Sequence, residues 1–86
     1  MNSDVFTSVV ERLHFYLPHE MQSAQIVEDT DLQNDLGFDS LGLATVATDL
    51  HATMAFDLQY FAENLGDIRL VSDLVRVVEE ALTLKN

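Results

Sequence analysis

The chain has 86 residues, 48% of them hydrophobic, which predicts one domain spanning residues 1–86 and excludes a disordered chain. It contains no cysteine, which excludes a disulfide scaffold, thiolate metal ligands and a cysteine nucleophile. Fifteen acidic residues against four basic ones give a formal net charge of −11, which argues against nucleic acid as a partner and favours partners with a basic face.

The first predicted element is an amphipathic helix that ends before Pro18, because proline interrupts a helix. Apolar residues recur every four positions along it, which places them on one face. These residues are Val5, Val9, Leu13 and Leu17. Ser3 is a candidate N-cap for this helix. A polar segment, residues 19–39, follows, and unstructured segments of that length in small domains are usually functional. We expect Ile26, Leu32 and Leu36 to hold it against the core.

Two further helical patterns follow, one from Leu43 to Met54 and one from Val71 to Leu82. Between them, the stretch YFAENLG predicts a short helix that ends at Gly66. No stretch alternates cleanly with a period of two, so we predict an all-α fold: a small bundle of three main helices and one short helix, with a long first loop. The residues expected to face inward are Phe6, Val9, Val10, Leu13, Val46, Leu50, Leu74, Val75 and Val78.

The sequence offers little for catalysis or metal binding. Ser40 lacks the Gly-x-Ser-x-Gly context of a hydrolase nucleophile and the strand that should precede it. The three histidines show no metal-ligand spacing, and the acids of residues 28–35 lack the glycine and spacing of an EF-hand loop. These patterns therefore argue against a hydrolase and against a metal site.

Ser40 stands where the second helix begins, in the stretch DLGFDSLGLATV. Either Asp39 or Ser40 is expected to cap this helix. Backbone N–H groups at a helix N-terminus are unpaired and the helix dipole is positive there, so a phosphate at this point would be stabilised. The residues alone leave two interpretations open: a plain cap, or a site for a phosphate group.

The motif LGFDSL, with the order of helices around it, resembles the acyl carrier protein family. The resemblance implies an acyl-carrier-protein-like bundle in which Ser40 carries 4′-phosphopantetheine, supplied covalently from coenzyme A. It also implies that Asp39 assists the metal ion of a phosphopantetheinyl transferase, and that the exposed Leu41 docks against partners. Such a protein presents acyl groups as thioesters and performs no chemistry itself, so the resemblance implies that the protein is not an enzyme.

The second helix departs from carriers of bulk fatty acid biosynthesis, which line it with glutamates. Its one acid is Asp49, and Thr45, His51 and Ala52 stand at positions that are acidic in the family. This difference favours a polyketide, specialised lipid or similar pathway. Leu70 stands where the family often has a threonine cap, so Ser72 is expected to cap the last helix instead.

The charge map predicts how acyl-loading and acyl-processing enzymes with basic docking faces would bind. Near Ser40 we expect an acidic patch of Glu28, Asp29, Asp31, Asp35 and Asp39. Beside it we expect a neutral docking face of Leu41, Ala44, Thr45 and Thr48. Without a signal peptide or an apolar run long enough to cross a membrane, a cytoplasmic monomer without membrane insertion is expected.

Two alternatives stay open. One is a peptidyl or aminoacyl carrier of nonribosomal peptide type, whose motif more often has a Gly-Gly pair before the residue preceding the serine. The other is an unmodified helical interaction module in which Ser40 is only a cap.

Overall fold

The computed structural model describes residues 3–84, except for the side chain of Ser3, so the expected Ser3 cap lies outside the described residues. Four α-helices form: α1 over Ser3–Tyr16, α2 over Ser40–Met54, α3 over Leu58–Glu63 and α4 over Val71–Leu84. Single 3₁₀ turns occur at His19–Met21 and Leu65–Asp67. Within residues 3–84 no strand forms, only an isolated bridge between Asp31 and Leu70. The predicted all-α bundle with a long first loop is confirmed.

The core lies where α1 and α3 each pack against α2 and α4. The predicted stripe of α1 is buried, and so are the inward positions of α2 and α4. Phe6 and Val10 are only partly buried and lie at the edge of the core. Two further residues, Val77 and Phe56, are buried although they were not predicted to be. Val77 is buried because α4 is covered over a wider face than a single stripe. Phe56 is buried because the turn before α3 also faces inward.

The long first loop is fastened to the start of α4. Ile26, Leu32 and Leu36 are buried, as predicted, and Phe38 is buried with them. Leu32 N donates to Arg69 O at 2.9 Å. Val71 N and Ser72 N donate to carbonyl groups at residues 30 and 28, both at 3.0 Å. These bonds hold the segment that leads into α2, and so they position Ser40.

Two predictions about helix ends are wrong. The helix expected to end at Gly66 ends at Glu63, and Gly66 lies inside the following 3₁₀ turn without a positive φ. Ser72 does not cap α4, because it lies inside the helix. The carboxylate of Asp73 reaches back instead and accepts from Leu70 N at 2.9 Å, as acids in the first turn can do.

Candidate functional site

Ser40 is the first residue of α2, and its side chain is exposed. Asp39 is the N-cap residue, with Oδ1 accepting from Gly42 N at 2.8 Å. Of the two residues that the sequence offered as the cap of α2, the structure therefore identifies Asp39 and not Ser40. Among the described residues the Ser40 hydroxyl has no hydrogen-bond partner, so it is available for a reaction at the helix start.

Gly42 allows close packing around Asp39. A Cβ at this position would lie 3.2 Å from Phe38 Cδ1 and 3.4 Å from Asp39 Oδ1. A side chain here would therefore push against the buried ring and the capping carboxylate together. The glycine weakens the helix by about 0.5–1 kcal/mol relative to alanine, but it lets α2 start close to the loop.

The outer face of α2 beyond Ser40 is nearly neutral. Leu41 is 77% exposed, the highest value among the large hydrophobic residues described. Ala44, Thr45 and Thr48 are also exposed. The two threonine hydroxyls donate to backbone carbonyls one turn earlier in α2, each at 3.0 Å. Since these donors are satisfied within the helix, the face presents an apolar contact surface with little charge.

Two clefts meet at Asp39. The larger, of about 550 Å³, is open and lies between the first loop and α2, with Met21, Leu36 and Leu41 in its lining. The smaller, of about 170 Å³, is lined by Ser40 and by residues that include Leu43, Ile68 and Arg69. The hydroxyl of Ser40 thus stands beside a cleft whose lining mixes polar and apolar side chains and includes one basic side chain.

The acids of the first loop are divided between one hydrogen-bonded turn and a separate surface pocket. Asp31 accepts from Asn34 N at 2.8 Å and Gln33 N at 3.0 Å, and the Asn34 bond does most to lower the pKa of Asp31. Asp35 Oδ2 accepts from Asp31 N at 2.9 Å in the same turn, shortly before Ser40. Glu28 and Asp29 line a different surface pocket, which includes Phe6 of α1.

Asp49, the one acid of α2, is engaged within the protein. Its carboxylate lies 3.2 Å from Arg12 Nη1 and accepts from the Tyr16 hydroxyl at 2.7 Å, tying α2 to α1. The Tyr16 hydrogen bond lowers the pKa of Asp49, and the same bond raises the pKa of Tyr16 above its usual 10.0. The negative charge of α2 is therefore directed at α1 and is partly neutralised there.

The Tyr16–Asp49 bond makes a prediction for alkaline titration. In a Tyr60→Phe background Tyr16 is the remaining tyrosine, since the chain has two. Asp49→Asn should lower the pKa of Tyr16, measured by ultraviolet absorbance, because the carboxylate favours the neutral phenol. Because the folded-state pKa of Tyr16 is raised, the bond stabilises the fold fully below about pH 10, the usual pKa of tyrosine. This stability is lost as pH rises through the folded-state pKa. An unmoved titration curve would contradict the bond.

Two residues near the site were not singled out from the sequence. Phe38 is buried under the loop, next to Asp39, and Arg69 lines the cleft that contains Ser40. The sequence held a signal for Arg69, because no other lysine or arginine occurs between Arg12 and Arg69. Its position beside Ser40 depends on the loop before α4, which no local pattern specifies.

Within residues 3–84, no group of three or more histidine, aspartate or glutamate side chains is placed to hold a metal ion. The helices described there are also too short or too polar to cross a membrane.

The chain was compared with known proteins. No family model matches it, and no solved structure gives a significant match. A curated acyl carrier protein from Coprothermobacter proteolyticus is 34% identical to it over 65 residues. The aligned region covers 76% of this chain and 77% of that protein.

Proposed function

The chain belongs to the acyl carrier protein family, and from this membership we propose that Ser40 carries a 4′-phosphopantetheine arm derived from coenzyme A. Members of this family are carriers rather than catalysts, so the chain has a carrier role. The observation that best supports the attachment point is the free, exposed hydroxyl of Ser40 at the start of α2, beside a cap formed by Asp39.

The residues around Ser40 fit a phosphodiester-linked arm. The N-terminus of the 15-residue helix α2 favours a negatively charged group. The adjoining cleft of about 170 Å³ is lined by polar and apolar side chains, with Arg69 as its one basic residue. When attached, the arm supplies the thiol on which an acyl group is held as a thioester, and this chain binds and presents it.

Asp39 is proposed to serve the transferase that modifies Ser40. Its Oδ1 is used by the helix cap, whereas Oδ2 accepts no hydrogen bond among the described residues. A carboxylate oxygen next to the modified serine is a suitable ligand for a hard metal ion brought by the transferase. One side chain can thus start the helix and face the incoming enzyme.

The cargo is proposed to belong to a polyketide, specialised lipid or similar pathway. Asp49, the one acid of α2, is held by Arg12 and Tyr16, which leaves the outer face of α2 without a free carboxylate. Enzymes that bind carrier proteins through acidic residues on α2 would therefore bind this chain weakly. An aminoacyl cargo is the alternative, and the loading enzyme distinguishes the two. We further propose that the protein acts as a cytoplasmic monomer.

The attachment is tested by mass spectrometry. The full chain, incubated with coenzyme A and a promiscuous phosphopantetheinyl transferase, should gain the mass of one phosphopantetheine group. Peptide mapping should place that mass on Ser40. A chain that gains no mass would be an unmodified helical module, and a mass located on another residue would refute the assignment of Ser40.

Partner docking makes a second prediction, which contrasts contact with charge. Thr48→Arg should lower loading by the cognate enzyme at every salt concentration, because it places a charge in the apolar contact. The matched control is Thr53→Arg on the same helix, since Thr53 lines a different pocket, together with Arg12 of α1. Equal loss of loading in both variants would contradict a docking face at Thr48.

Asp35 of the first loop should affect loading by the cognate enzyme through its charge. Asp35→Lys should slow loading and flatten its salt dependence, since salt screens charges beyond about 8–10 Å. Asp35→Asn, which keeps an acceptor for Asp31 N, should show a smaller change of the same sign.

The proposed pathway has its own test. If a ketosynthase of bulk fatty acid biosynthesis elongates an acyl group on this carrier as fast as on its own carrier, the proposal of a dedicated pathway is refuted.

A further inference from the structure

Arg69 stands apart from the other described arginines. Arg12 pairs with Asp49 at 3.2 Å, and Arg76 lies 3.5 Å from Asp73 and 3.6 Å from Glu80. Within residues 3–84 the guanidinium of Arg69 has no ion pair within 4.0 Å and no hydrogen bond. It lines the cleft that also contains Ser40 and Asp39.

The backbone of Arg69 is held firmly beside the segment leading into α2. Its carbonyl accepts from Leu32 N at 2.9 Å, and its N–H donates to Asp73 Oδ2 at 3.1 Å. The next residue, Leu70, forms the isolated bridge with Asp31. The start of the Arg69 side chain is therefore fixed relative to Ser40 by contacts on both sides.

No acid among residues 3–84 forms an ion pair with Arg69. The pKa of Asp31 is lowered chiefly by the hydrogen bond from the Asn34 backbone N–H. The charge of Arg69 also lowers this pKa, but it is the smallest of the causes. The Asp31 oxygens already accept from Gln33 N, Asn34 N and Asn34 Nδ2. An arginine left unpaired in so acidic a chain has donors available for an anion in the cleft, and its planar fork matches phosphate oxygens.

We propose that Arg69 binds the phosphodiester through which the arm is attached to Ser40. This inference rests on the attachment proposed above. The contact would hold the base of the arm over the small cleft rather than over the outer face of α2. It would thereby limit the directions in which the thioester swings and leave the face containing Leu41 and Thr48 open to a partner enzyme.

The test is nuclear magnetic resonance of the full chain before and after modification of Ser40. The Nε–H resonance of Arg69 should move on modification, while those of Arg12 and Arg76 should not. In the modified protein, Arg69→Gln should shift the ³¹P resonance, and Arg69→Lys should shift it less because the charge is kept. Arg76→Gln, which removes an arginine outside the cleft, is the matched control.

Salt provides an independent measurement. An exposed ion pair changes the ratio of bound to unbound phosphate by about 1.4- to fivefold. Sodium chloride at about 1 M shortens the screening length to about 3 Å, so it should move the wild-type ³¹P signal towards that of Arg69→Gln. The ³¹P signal of Arg69→Gln itself should respond much less to salt.

The outcomes separate this proposal from the one on which it rests. If Ser40 gains the mass but the Arg69 Nε–H resonance and the ³¹P signal are the same in all variants, the phosphate contact is refuted and the carrier function stands. If Ser40 gains no mass, both proposals fail. Should Arg69→Gln be modified poorly or fold badly, the comparison of unmodified and modified wild-type protein decides.

Discussion

Ser40→Ala should gain no mass with transferase and coenzyme A, whereas the wild-type chain is expected to convert fully. The fold should barely change, because the Ser40 hydroxyl has no hydrogen bond among the described residues and Asp39 supplies the cap. The free energy of unfolding should stay within about 0.5 kcal/mol of the wild type, as for most surface substitutions. Intact mass and urea unfolding followed by circular dichroism measure the two effects.

Two further variants sharpen that result. Ser23→Ala changes another exposed serine, in the first loop, and should be modified normally. Asp39→Asn keeps a capping oxygen for Gly42 N but removes the charge, and Asn caps about as well as Asp. It should therefore be modified more slowly at unchanged stability. Modification of Ser40→Ala would refute the site, and an unchanged rate for Asp39→Asn would refute the metal-assisting role of Asp39.

Phe56→Ala should cause the largest loss of stability. The Phe56 side chain is 1% exposed, and its ring lies 5.8 Å from that of Phe61 and 5.6 Å from that of His51. Removing a buried phenyl ring costs about 3–5 kcal/mol, because the cavity left behind collapses only in part. This is a large fraction of the 5–15 kcal/mol that is typical of a folded domain. Leu50→Ala should cost about 2–5 kcal/mol by the same argument.

Phe15→Ala is the matched control for Phe56. The chemical change is identical, but Phe15 is 64% exposed and contacts Tyr16 and Arg12 at the surface. Its loss should cost under about 1 kcal/mol. Urea unfolding of both variants measures the difference, and equal destabilisation would show that Phe56 is not the core residue that the structure makes it.

The helices and most of the core could be predicted from the sequence, because they follow from local periodicity. Val5, Val9 and Leu13 recur at helical spacing, and such a face must be buried whatever the partner helix is. Ser40 could likewise be placed at a helix start, since Asp39 precedes an apolar helical pattern. The fastening of the loop by Leu32 and Leu36 was also predictable, because apolar residues in a polar segment seldom stay exposed.

The charge and the lining of the site depend on contacts between residues that are far apart in the chain. Asp49 meets Arg12 and Tyr16 only after α1 and α2 pack together. Arg69 lines the cleft with Ser40 only because the first loop bonds to the start of α4.

The sequence by itself determined the four helices, the position of Ser40 and the acidity of the chain, because each depends on neighbouring residues or on composition. The structure showed that Asp39 rather than Ser40 is the cap and that Gly42 allows close packing on Phe38, and both of these contacts are local in the chain. Only tertiary packing decided that the charge of Asp49 is directed at Arg12 and Tyr16, which are more than thirty residues away in the chain. The physical reason is that hydrogen bonds and ion pairs form over about 3–4 Å, and only the folded chain brings distant side chains that close.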